Sequence, residues 1–310
     1  MTKVSVVVPA YNAERYIGDA LVSIQEQTLH EVEVVVVDDG STDDTVAVVK
    51  GFADSLNLTL VCQMNAGPAA ARNAGIRKAR GRHCAFLDAD DVMLPQRLAM
   101  QCELLDAEPD LGLVHTDLMT FDDGGIIHRT RRAFSEPGGG HVLDRLLLDN
   151  FITTSTVMAP TQRLIDAGLF DEARRVSEDF ALWLRMAARW KVGYIERPLV
   201  KYRRRHGSLS DDKLATARCA LEVIEAFWDE HPDYLKSHRR TYSRSLAMHL
   251  STAGAAAIAR NQRRTALSYL LGSLVRDPWK RATWKSLAKT LIMPAWRSQR
   301  ACASRTEETA

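Results

Sequence analysis

Two apolar runs near the N-terminus show no polar alternation: "VSVVVPA" at residues 4–10 and "VEVVVVDDG" at residues 32–40. β-Branched runs of this kind are expected of strands covered on both faces in a parallel sheet. Between them Ile17, Ala20, Leu21 and Ile24 recur at helical spacing, and Asn12 is placed to cap that helix. A second helix is expected from about Asp43, with Val46, Val49, Ala53 and Leu56 on one face. "TLVC" reads as a third strand, "GPAAARNAGIRKA" as a third helix with Pro68 in its first turn, and "CAFL" as a fourth strand. The β-α-β-α-β-α-β order predicts right-handed crossovers and an α/β sandwich.

In such sheets ligands bind beyond the carboxyl ends of the strands. Those ends here carry "PAYN", "DDGS", "QMNAG" and "DADD". Each cluster alone reads as an ordinary surface turn. Four at successive strand ends, two with adjacent acids, predict one polar crevice. "DADD" is the sharpest case, because Asp88, Asp90 and Asp91 place three carboxylates within four positions behind a buried run. Such charges repel one another unless water solvates the turn or a cation sits among them.

Residues 111–210 are less regular and include a Gly-rich polar loop at 122–140 with a basic interior, "HRTRR", in the manner of a mobile lid or a disordered segment. Beyond residue 211 the pattern is almost wholly helical. The balance of 41 Lys and Arg against 39 Asp and Glu indicates no global field for nucleic acid. Five scattered cysteines without a CxxC pair fit reduced thiols in a cytoplasmic setting. The N-terminal apolar run is too short for a signal peptide and meets Pro9 at once, and no stretch has the length of a membrane span. The expectation is a soluble protein, or one attached only at a membrane surface.

Taken in order over residues 3–210, "VSVVVPAYN", "VVVVDDGSTDDT", "NAGPAAARNAGI", "FLDADD", "SEDFALWLR" and "YRRRHGSLS" resemble the family 2 glycosyltransferases, inverting nucleotide-sugar transferases of GT-A fold. The resemblance implies a Rossmann-like α/β/α sandwich with a mostly parallel central sheet. It divides the chain into a transferase domain at 1–210 (nucleotide-sugar half 1–110, acceptor half 111–210) and a helical region at 211–310. It implies a UDP- or dTDP-sugar donor, a saccharide or lipid-linked saccharide acceptor of cell-surface polysaccharide assembly, and Mn²⁺ or Mg²⁺. Oxygen-ligated divalent cations of this type neutralise charge on a departing diphosphate.

Carried over residue by residue, "DADD" matches the family's DXD motif, with Asp90 as metal ligand and Asp88 near the ribose and the metal. Asp91 supports that site or caps the helix near Pro95. Asp39 accepts a hydrogen bond from the pyrimidine N3, while Asp38 orients the loop or touches the ligand. Pro9, Ala10 and Tyr11 lie beside the base, Tyr11 serving there or in plain packing. Arg72 belongs near base and diphosphate. Asp179 matches the catalytic base, in its ionised form at a helix N-terminus, with Glu178 beside it in the donor site. Trp183 floors the sugar site or fills the core, and His206 contacts phosphate or metal.

Three other readings compete. A phosphoacceptor receiver-like domain also clusters acids at strand ends, but it is far shorter than this chain and leaves "SEDFALWLR" unexplained. A sugar-1-phosphate nucleotidyltransferase needs a Gly-rich, basic phosphate loop after the first strand, which is missing here. A non-catalytic binding relative is expected to lose Asp90 or Asp179, and both are present. Residues 260–300 hold ten Lys and Arg against Asp277, with Trp279, Trp284 and Trp296 interleaved. That pattern suits either an anionic membrane surface or a helical cap on the catalytic domain or on a second subunit of a homo-oligomer, with Pro278 and Pro294 breaking it into short pieces.

Overall fold

A computed structural model describes residues 2–122, 124–125, 127–128, 138–205 and 211–292. The N-terminal part runs β1 (Val4–Ala10), α1 (Ile17–Gln25), β2 (Val32–Asp38), α2 (Thr45–Lys50), β3 (Leu58–Cys62), α3 (Pro68–Lys78) and β4 (His83–Phe86). Then come β5 (Val92–Met93), α4 (Arg97–Ala107), β6 (Leu111–Phe121), β7 (Ile127–His128), α5 (Leu143–Leu148), β8 (Met158–Pro160), α6 (Thr161–Asp166), α7 (Glu178–Ala187) and β9 (Lys191–Arg203). The chain continues with α8 (Lys213–Glu230), α9 (Pro232–Ser237), α10 (Arg239–Ala259), α11 (Arg263–Arg276) and α12 (Arg281–Ile292).

The sheet order is β3-β2-β1-β4-β8-β6-β9-β5, with β7 paired to β6. β1, β2, β3 and β4 are mutually parallel, so the Val runs of β1 and β2 sit between helical layers with Val6, Val7, Val35 and Val36 wholly buried. β8 joins antiparallel to β4 and β6, and β9 runs parallel to β6. This is the expected α/β sandwich with a mostly parallel sheet and a helical C-terminal region. The helical region shares the sheet's core: Leu221, Ile224, Phe227 and Trp228 of α8 pack in the same apolar cluster as Phe86 and Trp183. Among the described residues no helix is long and apolar enough to cross a membrane.

Some local expectations change. Asn12 does not cap α1; it adopts φ 47°, and its side chain accepts from Thr42 N at 2.9 Å, tying the β1 loop to the β2 loop. α2 is short and turns Thr45 and Val49 inward with Val48 and Phe52 alongside, leaving Ala53 exposed. Asp91 does not cap the helix after Pro95, because α4 starts at Arg97 with Gln96 ahead of it. At one glycine the packing is decisive: a Cβ on Gly75 would come within 2.4 Å of Val7 Cγ1, so α3 lies directly on β1. That close seat brings Arg72, one turn earlier, over the sheet's carboxyl edge.

Candidate active site

The four polar clusters do converge at that edge. Asp39 follows β2 and is buried. Its Oδ1 accepts from Gln63 Nε2 at 2.7 Å and Ala66 N at 2.9 Å, and its Oδ2 accepts from Gly67 N at 2.8 Å. The carboxylate thus holds the loop entering α3, and Oδ2 keeps acceptor capacity facing one donor only. Gly40, at φ 78°, makes this approach feasible, since a Cβ there would stand 2.9 Å from Asn65 N. Asp38 accepts from Ser41 N at 3.3 Å, and its other oxygen is buried without a partner. Pro9 lies within β1, and Tyr11 just beyond it is 50% exposed, so its ring is not core packing.

Arg72 is the hinge of the arrangement. Its Nη1 donates to Glu178 Oε1 at 2.6 Å and its Nη2 to Asp88 Oδ1 at 2.8 Å, joining the "DADD" turn to the start of α7. Burial opposes the guanidinium charge, but Asp88 and Glu178 outweigh it and push the Arg72 pKa up. Asp179, next to Glu178, accepts from Thr154 Oγ1 at 3.0 Å and from Phe180 N at 2.6 Å. Burial raises the pKa of both Glu178 and Asp179 while Arg72 holds them down. α7 is entered through Ser177 in a left-handed conformation, φ 63°, an uncommon state for a residue with a side chain. Non-glycine strain of this kind clusters at functional sites.

The acidic turn is braced from several sides. Asp88 N donates to Ser155 Oγ at 3.1 Å, and Asp91 Oδ1 accepts from Arg203 N at 2.9 Å. Asp90 Oδ2 accepts from Arg205 Nε at 2.5 Å, and Arg203 Nε donates to Asp90 O at 2.9 Å. Burial raises the Asp90 pKa, Asp88 adds to it, and Arg205 opposes. Asp91 is pushed well above the usual carboxylate range by burial and by both neighbouring acids. Beneath it Arg97 is fully buried, donates to Phe86 O at 3.1 Å and Val157 O at 3.0 Å, and has its pKa lowered by burial to about 9 against the pull of Asp91.

The site therefore gathers Asp88, Asp90, Asp91, Glu178 and Asp179 around Arg72 and Arg205. Among the described residues no three His, Cys, Asp or Glu side chains form a ready cage for a metal ion. A pair of carboxylates supplemented by a ligand's own oxygens is one way to hold a hard cation, and Asp88 and Asp90 lie two residues apart in one turn. Asp90 already grips one cation, the Arg205 guanidinium, and the mutual repulsion with Asp88 leaves room for more positive charge.

Trp183 is the predicted site residue that lies elsewhere. It has no exposed surface and packs between Phe86 and Phe170, with ring centroids at 6.3 Å and 5.8 Å. It fills the core, the second of its two expected roles, because α7 is amphipathic and turns Phe180, Trp183 and Leu184 inward. His206 lies outside the described residues, as do residues 129–137 of the polar loop. Thr154, Ser155, Arg97, Arg203 and Arg205 were not singled out from the sequence. "YRRR" signalled the last two as a basic run, whereas "FITTST" reads as an unremarkable polar loop.

Comparison with known proteins places this architecture. The family model described as Glycosyl transferase family 2 matches residues 5–171. An uncharacterized glycosyltransferase of Rickettsia felis is 33% identical over 203 residues, covering 65% of this chain and 33% of that protein. The chain thus spans about a third of the length of that relative. The succinoglycan biosynthesis protein ExoO of Rhizobium meliloti is 36% identical over 228 residues, 67% of this chain and 62% of that one. The glycosyltransferase GlyG of Streptococcus pneumoniae is 30% identical over 235 residues, 71% of this chain and 78% of that one. Two solved structures share the fold. The Pyrobaculum calidifontis mannosyltransferase PcManGT, in complex with GDP-Man and Mn²⁺, superposes with TM-score 0.65 at 22% identity over 94% of this chain and 85% of that one. S. aureus TarS 1-349, in complex with UDP-GlcNAc, superposes with TM-score 0.61 at 18% identity over 89% and 92%. The chain belongs to glycosyl transferase family 2.

Proposed function

We propose that this chain is an inverting GT-A glycosyltransferase that moves a sugar from a nucleoside diphosphate sugar to a hydroxyl acceptor in one displacement. The observation that carries the reading is the Arg72 bridge, which holds the acidic turn after β4 and the acids opening α7 in one buried cluster. Residues 1–110 take the donor in this account and residues 111–210 face the acceptor.

The base lies beside Pro9 and Tyr11, with its imino N–H, as on N3 of uracil or thymine, donating to Asp39 Oδ2. Donor complexes of the two structural neighbours support a nucleotide sugar as the ligand class. Arg72 and Glu178 orient the diphosphate end and the sugar. Asp179 takes the proton from the acceptor hydroxyl. The acceptor oxygen then bonds to the anomeric carbon, whose bond to the phosphate oxygen breaks with its electron pair going to the diphosphate. Thr154 and Phe180 N keep the Asp179 carboxylate aimed during this step. Asp90 and Asp88 would hold Mn²⁺ or Mg²⁺, whose chemistry there is to offset charge on the leaving diphosphate. The relation to ExoO, a succinoglycan biosynthesis protein, supports a saccharide or lipid-linked saccharide as acceptor, and in this reading the protein works in the cytoplasm.

A panel of nucleotide sugars with Mn²⁺ tests the reaction class. Release of a nucleoside diphosphate is expected; release of pyrophosphate would point to nucleotidyl transfer, and binding without turnover to an inactive relative. The metal assignment has its own readout. Because Arg205 occupies the carboxylate that would ligate the cation, Arg205→Met is expected to tighten Mn²⁺ binding to the donor-free protein roughly ten-fold, the scale of removing one nearby like charge. Electron paramagnetic resonance of free Mn²⁺ reads this directly, and unchanged or weaker binding would move the metal away from Asp90.

A further inference from the structure

Charge is distributed unevenly along this chain. Residues 260–310 carry 11 of the 41 Lys and Arg but three of the 39 Asp and Glu, a net +8 against −6 for residues 1–259. From 260 to 292 the one acid is Asp277. α11 and α12 spend one face each on packing: Ala266, Leu270, Leu274 and Leu287 form an apolar cluster with Ala257 and Leu214. Large apolar side chains remain on the outside. Val275 is 81% exposed, Trp279 88% and Trp284 53%. Trp284 Nε1 donates to Pro278 O at 2.7 Å, which holds its indole against the turn that carries Trp279. Along α12, Trp284, Ala288 and Leu291 share one exposed stripe, and Arg281, Lys285 and Lys289 form the stripe beside it.

Single exposed apolar residues are ordinary, but two tryptophans held at one turn beside a cationic stripe, with an exposed valine just before the turn, are not. A second copy of the chain is a poor occupant. A twofold contact sets the patch against itself, and here that brings like charge against like charge. An anionic bilayer meets both halves of the pattern. Tryptophan favours the depth of the headgroups, and a helix with adjoining apolar and basic stripes lies in the interface plane. We infer that the α11–α12 corner docks on an anionic lipid surface, with Val275, Trp279 and Trp284 entering the interface and Arg281, Lys285 and Lys289 lying over the headgroups. The inference is independent of which sugar is moved, and its failure would leave the transferase reading intact.

Flotation of the full chain with phosphatidylcholine vesicles of increasing phosphatidylglycerol content tests it. Binding is expected to rise with phosphatidylglycerol and to fall with salt. Each cation at such a surface is worth about five-fold in partition, so the triple variant Arg281→Gln, Lys285→Gln, Lys289→Gln is expected to bind about 100-fold more weakly. Trp279→Ser is expected to weaken binding at every lipid composition. All the substituted side chains are solvent-facing, and unchanged nucleotide affinity in each variant confirms the fold. Absence of binding to phosphatidylglycerol-rich vesicles at low salt, or equal binding by wild type and triple variant, overturns the inference. So does a sedimentation shift from dimer to monomer in Trp279→Ser, which would make the patch a contact between copies.

Discussion

Asp179→Asn is expected to lower turnover by ~10²–10⁴-fold, the range for losing a positioned general base, while donor and metal binding persist. The substitution keeps the shape of the side chain that Thr154 Oγ1 and Phe180 N contact, so the start of α7 stays in place. With the amide oxygen kept on Phe180 N, Thr154 Oγ1 can turn to accept from the amide nitrogen, so what is lost is the negative charge and the capacity to accept the hydroxyl proton. The pH profile carries a second signature. Burial lifts the Asp179 pKa above the ordinary carboxylate range, and the base must be ionised to act. The wild-type rate therefore falls as pH drops through that raised value, at higher pH than for an unperturbed aspartate, and the residual rate of the variant lacks this limb. Stability follows the same linkage. A carboxyl with a raised folded-state pKa costs stability once pH exceeds its unfolded value, so the variant is expected to be no less stable than wild type at neutral pH. Its relative advantage should shrink as pH falls toward the ordinary carboxylate range. Loss of donor binding by calorimetry would give Asp179 a donor-binding role instead.

The second large effect is expected at Asp90. Asp90→Ala should lower transfer by at least ~10²–10³-fold, the scale of losing one preorganised electrostatic contact to developing charge, and saturating Mn²⁺ should not restore it. The melting temperature should change little. Asp90 carries a raised pKa from burial and from Asp88, so its removal relieves repulsion, and the abandoned Arg205 is partly exposed and can be hydrated. Full transfer by the variant, or undiminished wild-type transfer in excess EDTA, would refute a metal at this carboxylate.

The parts of the fold that could be read from sequence are those where one physical requirement dominates. β1 and β2 are covered on both faces, so their apolar runs stand out without alternation. β6 and β9 were hidden because polar residues interrupt their apolar positions, even though β6 is buried on both faces from Leu111 to Leu118. Their pairing slips between Leu111 and Leu113 and again around Thr116 and Asp117, and Pro198 sits within the second irregularity, so neither shows a steady period. Asn12 shows how a residue type misleads: its preference for helix caps and its tolerance of left-handed backbone are the same short polar side chain, and here the second use won. In the site, the acids and Arg72 were legible because charge near the ends of buried strands needs a reason. Thr154 and Ser155 were not, since a hydroxyl that aims a carboxylate leaves no local trace. Trp183 was ambiguous because an aromatic at the start of an amphipathic helix suits a sugar floor and a core equally until burial is known.

A single displacement assisted by Asp179, in the crevice built around Arg72, leaves a stereochemical signature in its product. Its most direct test is proton NMR of the sugar product formed from a turned-over nucleotide sugar, recorded before mutarotation can scramble a free sugar. Single displacement requires nucleoside diphosphate release together with a product whose anomeric configuration is opposite to that of the donor. A product that retains the donor's configuration would contradict it.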